Sequence, residues 1–96
     1  LGVGKDGHTA SLFPNSDLLN EDKRLVVPVS PSGDPRVPRI TVTYKVLNNA
    51  KNILFLSSYN DKKNVIDEII TNKEKAIEKY PAARVEAKRI YFFSYK

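Results

Sequence analysis

The sequence predicts an α/β fold, an open and mostly parallel sheet with flanking helices, and three observations carry that reading. Asn52-Ile53-Leu54-Phe55-Leu56-Ser57 is a near-continuous apolar run bounded by polar residues, as expected of a central parallel strand covered on both faces. Residues 60–79 place Val65, Ile66, Ile69, Ile70 and Ile77 on one helical stripe among Lys, Glu and Asn,. Leu1 leads into a glycine turn that holds the only histidine. That order puts His8 at the carboxyl end of a strand, where open α/β sheets bind ligands.

Taken in order, residues 9–13 predict a short helical turn stopped by Pro14,. Residues 15–24 are polar and read as a surface loop, with Asn15-Ser16-Asp17 able to cap a short helix before Leu18 and Leu19,. Leu25-Val26-Val27-Pro28-Val29 is β-prone, but Pro28 lacks a ladder N–H, so an edge strand or strand end is expected,. Residues 30–38, with three prolines and a glycine, read as a loop,. Ile40-Thr41-Val42-Thr43 alternates like a strand; residues 44–50 should turn helical, with Val46, Leu47 and Ala50 on its apolar face and an end near Asn48-Asn49,. After the strand at 52–57, Asn60 or Asp61 is the expected N-cap of a helix running to about Lys79, and Pro81 ends it,. Residues 82–88 form a connection. Ile90-Tyr91-Phe92-Phe93-Ser94-Tyr95 is strand-like, and its aromatics suit a core or a subunit contact better than base stacking,.

Ninety-six residues make one domain at most,. Sixteen Lys and Arg against eleven Asp and Glu give a net charge of +5, which suits anionic ligands as well as solubility. The charges are interspersed, without the basic block and interleaved aromatics of a single-strand binder, so nucleic acid is not an expected partner,. Cysteine is absent, which removes disulfide and thiol chemistry and is compatible with the cytoplasmic location expected here,. The longest apolar run, 53–56, is far too short to span a bilayer,.

The chemistry concentrates in residues 1–14, LGVGKDGHTASLFP, which hold three of the four glycines, the acid Asp6 and His8. With an unperturbed pKa of about 6.5, an imidazole can take and return a proton near neutral pH, and a carboxylate in the same turn can fix its tautomer. Gly2, Gly4 and Gly7 also satisfy G-x-G-x-x-G, but a dinucleotide site needs a helix opening at the third glycine and an acid after the next strand. Pro14 leaves room for one helical turn, and Glu21 and Asp22 precede the next strand. No Gly-Lys-Ser/Thr follows for a P-loop, and no G-x-S-x-G elbow is present,. With no H-E-x-x-H or spaced acid set, neither a metal nor a cofactor is implied,.

LGVGKDGHTASLFP resembles the G-x-G-x-D-G-H-T-A-S-L-F-P signature of the 6-phosphogluconolactonases. The related glucosamine-6-phosphate deaminases share the G-x-G-x-D-G-H turn but continue differently, and Thr9-Ala10-Ser11-Leu12-Phe13-Pro14 follows the lactonase version. PRITVTYKVLNNAKNILFL, NDKKNVIDEII and PAARV are similar to further segments of that family, so the match spans nearly the whole chain. Tyr59 departs from it, standing where the family usually has glycine after the strand.

The resemblance implies a Rossmann-like, three-layer domain of which residues 1–96 are the carboxyl-terminal part, the earlier strands and a glycine-rich phosphate loop lying upstream. It implies hydrolysis of 6-phospho-D-glucono-1,5-lactone to 6-phosphogluconate, a step of the oxidative pentose phosphate pathway. His8 would be the general base and then the acid, with Asp6 orienting it. Gly4, Gly7 and Thr9 would meet the substrate, turn N–H groups receiving the developing oxyanion. Lys62, at a strand-to-helix junction, and Arg39 would hold the 6-phosphate, while Lys63 would be solvated. The implied partners are the phosphorylated sugar lactone and, by fusion or association, glucose-6-phosphate dehydrogenase. Two alternatives stay open: an amino-sugar phosphate deaminase or isomerase, which would need a further acid just beyond the histidine, and a non-catalytic sugar-phosphate-binding fragment.

Overall fold

A computed structural model describes residues 1–95. The architecture is α/β, with a parallel strand pair, an antiparallel hairpin and helices packed on the sheet.

The hairpin pairs β1 (Val26–Ser32) with β2 (Val37–Val42) in antiparallel register, Val26 opposite Val42 and Val29 opposite Arg39, with a shift between Val29 and Ser32. In a two-stranded ribbon each strand has an open edge, which is why Pro28 can sit opposite Ile40 without a ladder N–H,. The same tolerance corrects the loop expected over 30–38. The strands continue through Pro31 to Ser32 and resume at Val37, leaving residues 33–36 as the connection, with Gly33 at φ 76°. One helical turn follows, α1 (Tyr44–Leu47), shorter than expected; it buries Tyr44 and Leu47, while Val46 and Ala50 are half-buried.

β3 (Asn52–Ser58) runs parallel to β4 (Arg89–Tyr95), Asn52 opposite Arg89 through Ser58 opposite Tyr95. On the other side of β3, the amino group of Leu1 donates to the Leu54 carbonyl (2.8 Å) and the Leu56 N–H to the Leu1 carbonyl (2.9 Å). That alternation is the parallel pattern. Leu1, β3 and β4 therefore deliver their carboxyl ends to one edge of the sheet.

Ile53, Phe55 and Ser57 are buried, whereas Leu54 and Leu56 are each 50% exposed. Within the described residues β3 is thus covered on one face, which corrects the expectation of two. Phe55 stacks on Phe92 with centroids 5.0 Å apart. Together with Val3, Leu12, Tyr44, Leu47, Val65, Ile69, Ala76 and Val85 it forms the core.

The long helix expected over 60–79 is two helices, α2 (Tyr59–Thr71) and α3 (Lys73–Lys79). Asn72 leaves helical geometry (φ −145°, ψ 68°), and its side chain caps α3 by accepting from the Lys75 N–H. An asparagine that satisfies a free helix-start donor offsets part of the cost of such a break. The N-cap of α2 is Ser58, ahead of the expected Asn60 or Asp61. Val65, Ile66 and Ile69 are buried, but Ile70, still within α2, and Ile77, beyond the bend, are exposed. Pro81 opens a 3₁₀ turn, Pro81–Arg84, and the Tyr44 hydroxyl donates to the Pro81 carbonyl at 2.6 Å. Another 3₁₀ turn, Asp17–Asn20, is capped by Ser16 as the sequence suggested. Residues 9–13 do not form the expected helical turn. Thr9 and Leu12 are joined by a single bridge and are both fully buried, which forces a tight reversal with Ala10 at φ 49°.

Candidate active site

The glycine turn closes on itself before it meets anything else. The Gly4 N–H donates to the His8 carbonyl and the Gly7 N–H to the Gly4 carbonyl, both at 2.9 Å, with Gly7 at φ 83°. Asp6 Oδ1 accepts twice, from the His8 main-chain N–H at 3.0 Å and from His8 Nδ1 at 2.6 Å. A proton on Nδ1 leaves Nε2 as the basic nitrogen. The His8 side chain is 34% exposed, enough to meet a ligand.

Partial burial raises the Asp6 carboxyl pKa, but the hydrogen bonds from the His8 amide and imidazole, with the charge of that ring, outweigh it. The pKa lies below the ordinary carboxylate value. Asp6 therefore stays an acceptor and keeps the tautomer fixed through neutral pH.

Gly4 is required by the imidazole itself. A Cβ there would stand 2.2 Å from both Cε1 and Nδ1 of His8. From behind, Thr9 Oγ1 donates to the Gly2 carbonyl at 2.8 Å, the Ser11 N–H donates to Thr41 Oγ1 at 3.0 Å, and the Ala82 N–H donates to the Gly7 carbonyl at 2.9 Å.

In front of the turn lies a cleft of about 490 Å³, lined by Gly4, Lys5, Asp6, His8, Phe13, Asp34, Arg39 and Lys62 among others. Lys62, in the first turn of α2, donates from Nζ to the Val3 carbonyl and lines the same cleft as His8. His8 and Lys62 thus line one cleft. Lys63 is exposed and does not line it.

Arg39 also lines the cleft, but its guanidinium is occupied. Nη1 donates to the carbonyls of Ser32 and Val37 (the latter at 3.1 Å), and Nη2 donates to that of Pro35 at 2.6 Å. It lies 5.5 Å from the Phe13 ring centroid, and Phe13 in turn sits 4.7 Å from the imidazole.

Gly7 and Thr9 are buried and do not line the cleft. The N–H groups of Gly4, Gly7 and His8 are all spent inside the turn, so none of them faces a developing oxyanion in this conformation. Tyr59 is the first residue of α2 and lies outside the cleft lining, its hydroxyl 3.5 Å from Asp67.

The cleft also holds residues to which the sequence assigns no role, among them Lys5, Phe13 and Asp34. Phe13 belongs to the segment of residues 1–14, but Asp34 carries no local signal, since only the hairpin brings it across. Among the described residues no group of three or more His, Cys, Asp or Glu is arranged to hold a metal ion. No helix among them is long and apolar enough to cross a membrane.

A family model described as glucosamine-6-phosphate isomerases/6-phosphogluconolactonase matches residues 1–92. The chain is 42% identical over 86 residues to the 6-phosphogluconolactonases of rat and human, covering 90% of this chain and 32% and 33% of those proteins. The 6-phosphogluconolactonase of Thermotoga maritima is 46% identical over 70 residues, 73% of this chain and 31% of that protein. The crystal structure of 6-phosphogluconolactonase from Thermotoga maritima superposes with TM-score 0.80 at 38% identity, over 100% of this chain and 41% of that one. The Trypanosoma brucei 6-phosphogluconolactonase superposes with TM-score 0.69 at 28% identity, over 96% and 37%. The chain thus spans about a third of the length of the curated relatives it matches.

Proposed function

We propose, on the premise that this chain belongs to the glucosamine-6-phosphate isomerase/6-phosphogluconolactonase family, that it carries the histidine side of a site hydrolysing 6-phospho-D-glucono-1,5-lactone. The observation that carries the reading is the Asp6-paired imidazole sharing one cleft with Lys62.

His8 Nε2 accepts a proton from water as the water oxygen bonds to the lactone carbonyl carbon. Asp6 stabilises the resulting imidazolium through Nδ1,. When the bond from that carbon to the ring oxygen breaks, Nε2 returns the proton to the departing alkoxide, leaving the open-chain acid. General acid-base help of this kind is worth about 10² to 10⁴ in rate. Lys62 holds the 6-phosphate: of its three ammonium donors, one is on the Val3 carbonyl. Lys5 supplies further positive charge to the cleft. The N–H groups of Gly4, Gly7 and His8 have no oxyanion task, being already bonded, and Arg39 contributes its charge while its donors hold the hairpin.

Lactone hydrolysis by the full-length protein, measured with fresh 6-phosphogluconolactone against the spontaneous rate, falls by about 10² or more in His8→Ala. An unchanged rate removes this role for His8. A second reading, the amino-sugar phosphate deaminase, gains one observation: Asp34 brings into the cleft an acid absent from residues 9–13. Release of ammonia from glucosamine 6-phosphate would support it over the lactonase.

A further inference from the structure

Gly7 is glycine for a reason outside its own turn. A Cβ at that position would lie 2.3 Å from Cδ1 and 2.5 Å from Cβ of Tyr80. The Tyr80 ring therefore occupies the space a side chain would take. Its hydroxyl donates to Glu68 Oε2 at 2.9 Å, and the other oxygen of Glu68 receives Lys79 Nζ at 2.7 Å. Glu68 lies in α2, the helix whose first turn carries Lys62.

Residues 3–7 are consequently held to α2 at two places. Lys62 takes the Val3 carbonyl at one end. Tyr80, anchored on Glu68, backs Gly7 at the other, where the Ala82 N–H also takes the Gly7 carbonyl. Gly7 precedes His8 directly in the chain and gives its N–H to the Gly4 carbonyl, so a displacement of Gly7 carries over to the imidazole.

We infer that Tyr80 is a positioning residue for His8, setting through Gly7 the distance between the imidazole and the phosphate-holding ammonium of Lys62. The inference rests on the lactonase reading of His8 given above. Tyr80 does not line the cleft, so its loss alters the placement of the base without removing a group that binds substrate. A shift of about 1 Å in a reacting group can cost about 10²-fold in rate. An effect confined to the transition state appears in kcat rather than KM.

The test compares the full-length wild type with Tyr80→Leu, Tyr80→Phe and His8→Ala, each checked by circular dichroism and assayed on fresh 6-phosphogluconolactone. Tyr80→Leu lowers kcat by about 10- to 100-fold with KM within about twofold of wild type. Tyr80→Phe, which keeps the ring against Gly7 but loses the hydroxyl's bond to Glu68, recovers part of the loss and stays severalfold below wild type. A folded Tyr80→Leu with wild-type kcat, or with KM raised and kcat kept, overturns the positioning role. If Tyr80→Leu does not fold, Glu68→Ala replaces it, removing the phenol's anchor while leaving the ring. A severalfold lower kcat at unchanged KM then supports the role, and wild-type kcat overturns it. His8→Ala separates the two readings. Loss in His8→Ala with none in the Tyr80 and Glu68 variants sinks only the positioning role, whereas wild-type rate in His8→Ala sinks the lactonase reading with it.

Discussion

Lys62 and Arg39 face the same cleft from different elements, and only their hydrogen bonds tell them apart. The lysine, in the first turn of α2, gives one donor to the Val3 carbonyl. The arginine, on β2, gives donors to three carbonyls of its own hairpin. A guanidinium is a rigid fork that suits several fixed acceptors at once, while an ammonium is a point charge on a flexible stem. Here the fork braces a loop and the point charge remains available to an anion. Cleft lining alone does not distinguish a cation with donors to spare from one whose donors are spent.

The widest separation between the turn and the hairpin comes from Gly4→Ala. The new methyl occupies the place of the imidazole, and lactone hydrolysis falls by about 10²-fold, as for a misplaced reacting group. A variant with wild-type kcat would mean the ring has another productive position.

Lys62→Met comes next. Losing a charge-assisted contact of about 1.5–3 kcal/mol raises KM for the phosphorylated lactone by roughly 10- to 100-fold. Arg39→Met leaves KM within a few-fold and instead lowers the melting temperature, because the carbonyls of Ser32, Pro35 and Val37 lose their donor,. The opposite assignment, KM rising in Arg39→Met and not in Lys62→Met, would reverse the comparison.

A smaller effect tests how the two regions are joined. The Tyr44 hydroxyl, in the helical turn after the hairpin, donates to the Pro81 carbonyl, one residue before the amide that holds Gly7. Burial, partly opposed by the charge of Arg84, pushes its pKa up from 10.0 to about 12. A folded-state value above the unfolded one gives stability that is complete below pH 10 and lost as pH rises through 12,. Urea denaturation between those limits shows that loss in the wild type and not in Tyr44→Phe, which is less stable by about 1 kcal/mol at neutral pH.

The smallest effect is confined to the surface before the hairpin. Glu21 accepts from the main-chain N–H and side chain of Arg24 and from the Lys23 N–H, which hold its pKa at about 2. Its contribution is present above the ordinary value of 4.5 and fades as pH falls toward 2,. Because its partner Arg24 is exposed and the pair lies at the surface, salt screens that contribution,. Acid titration of Glu21→Gln by circular dichroism should depart from wild type only within that window.

Much of this was readable locally. Asp6 and His8 are two residues apart, so the glycine turn alone brings them together. Ser16 caps its helix from the adjacent position, and Pro81 stops α3 by chemistry it carries itself. The break at Asn72 is not legible in the sequence because the apolar period continues across it at Ile77, and the bend shows only where side chains pack. The hairpin was cut short because prolines argue against a central strand but not against the edge of a two-stranded ribbon.

The primary structure by itself determined the α/β order of elements and the histidine-acid pair, since both depend on residues within a turn or two of one another. Tertiary structure alone decided that Lys62 and Asp34 reach the cleft, that Arg39 spends its donors on the hairpin, and that Tyr80 fills the space Gly7 leaves. The contacts of Lys62, Asp34 and Tyr80 join residues dozens of positions apart, and that of Arg39 depends on the hairpin turning Ser32 and Pro35 back toward it. Which of the possible long-range partners meet is settled by how helices and strands pack, and no local pattern of side chains encodes it.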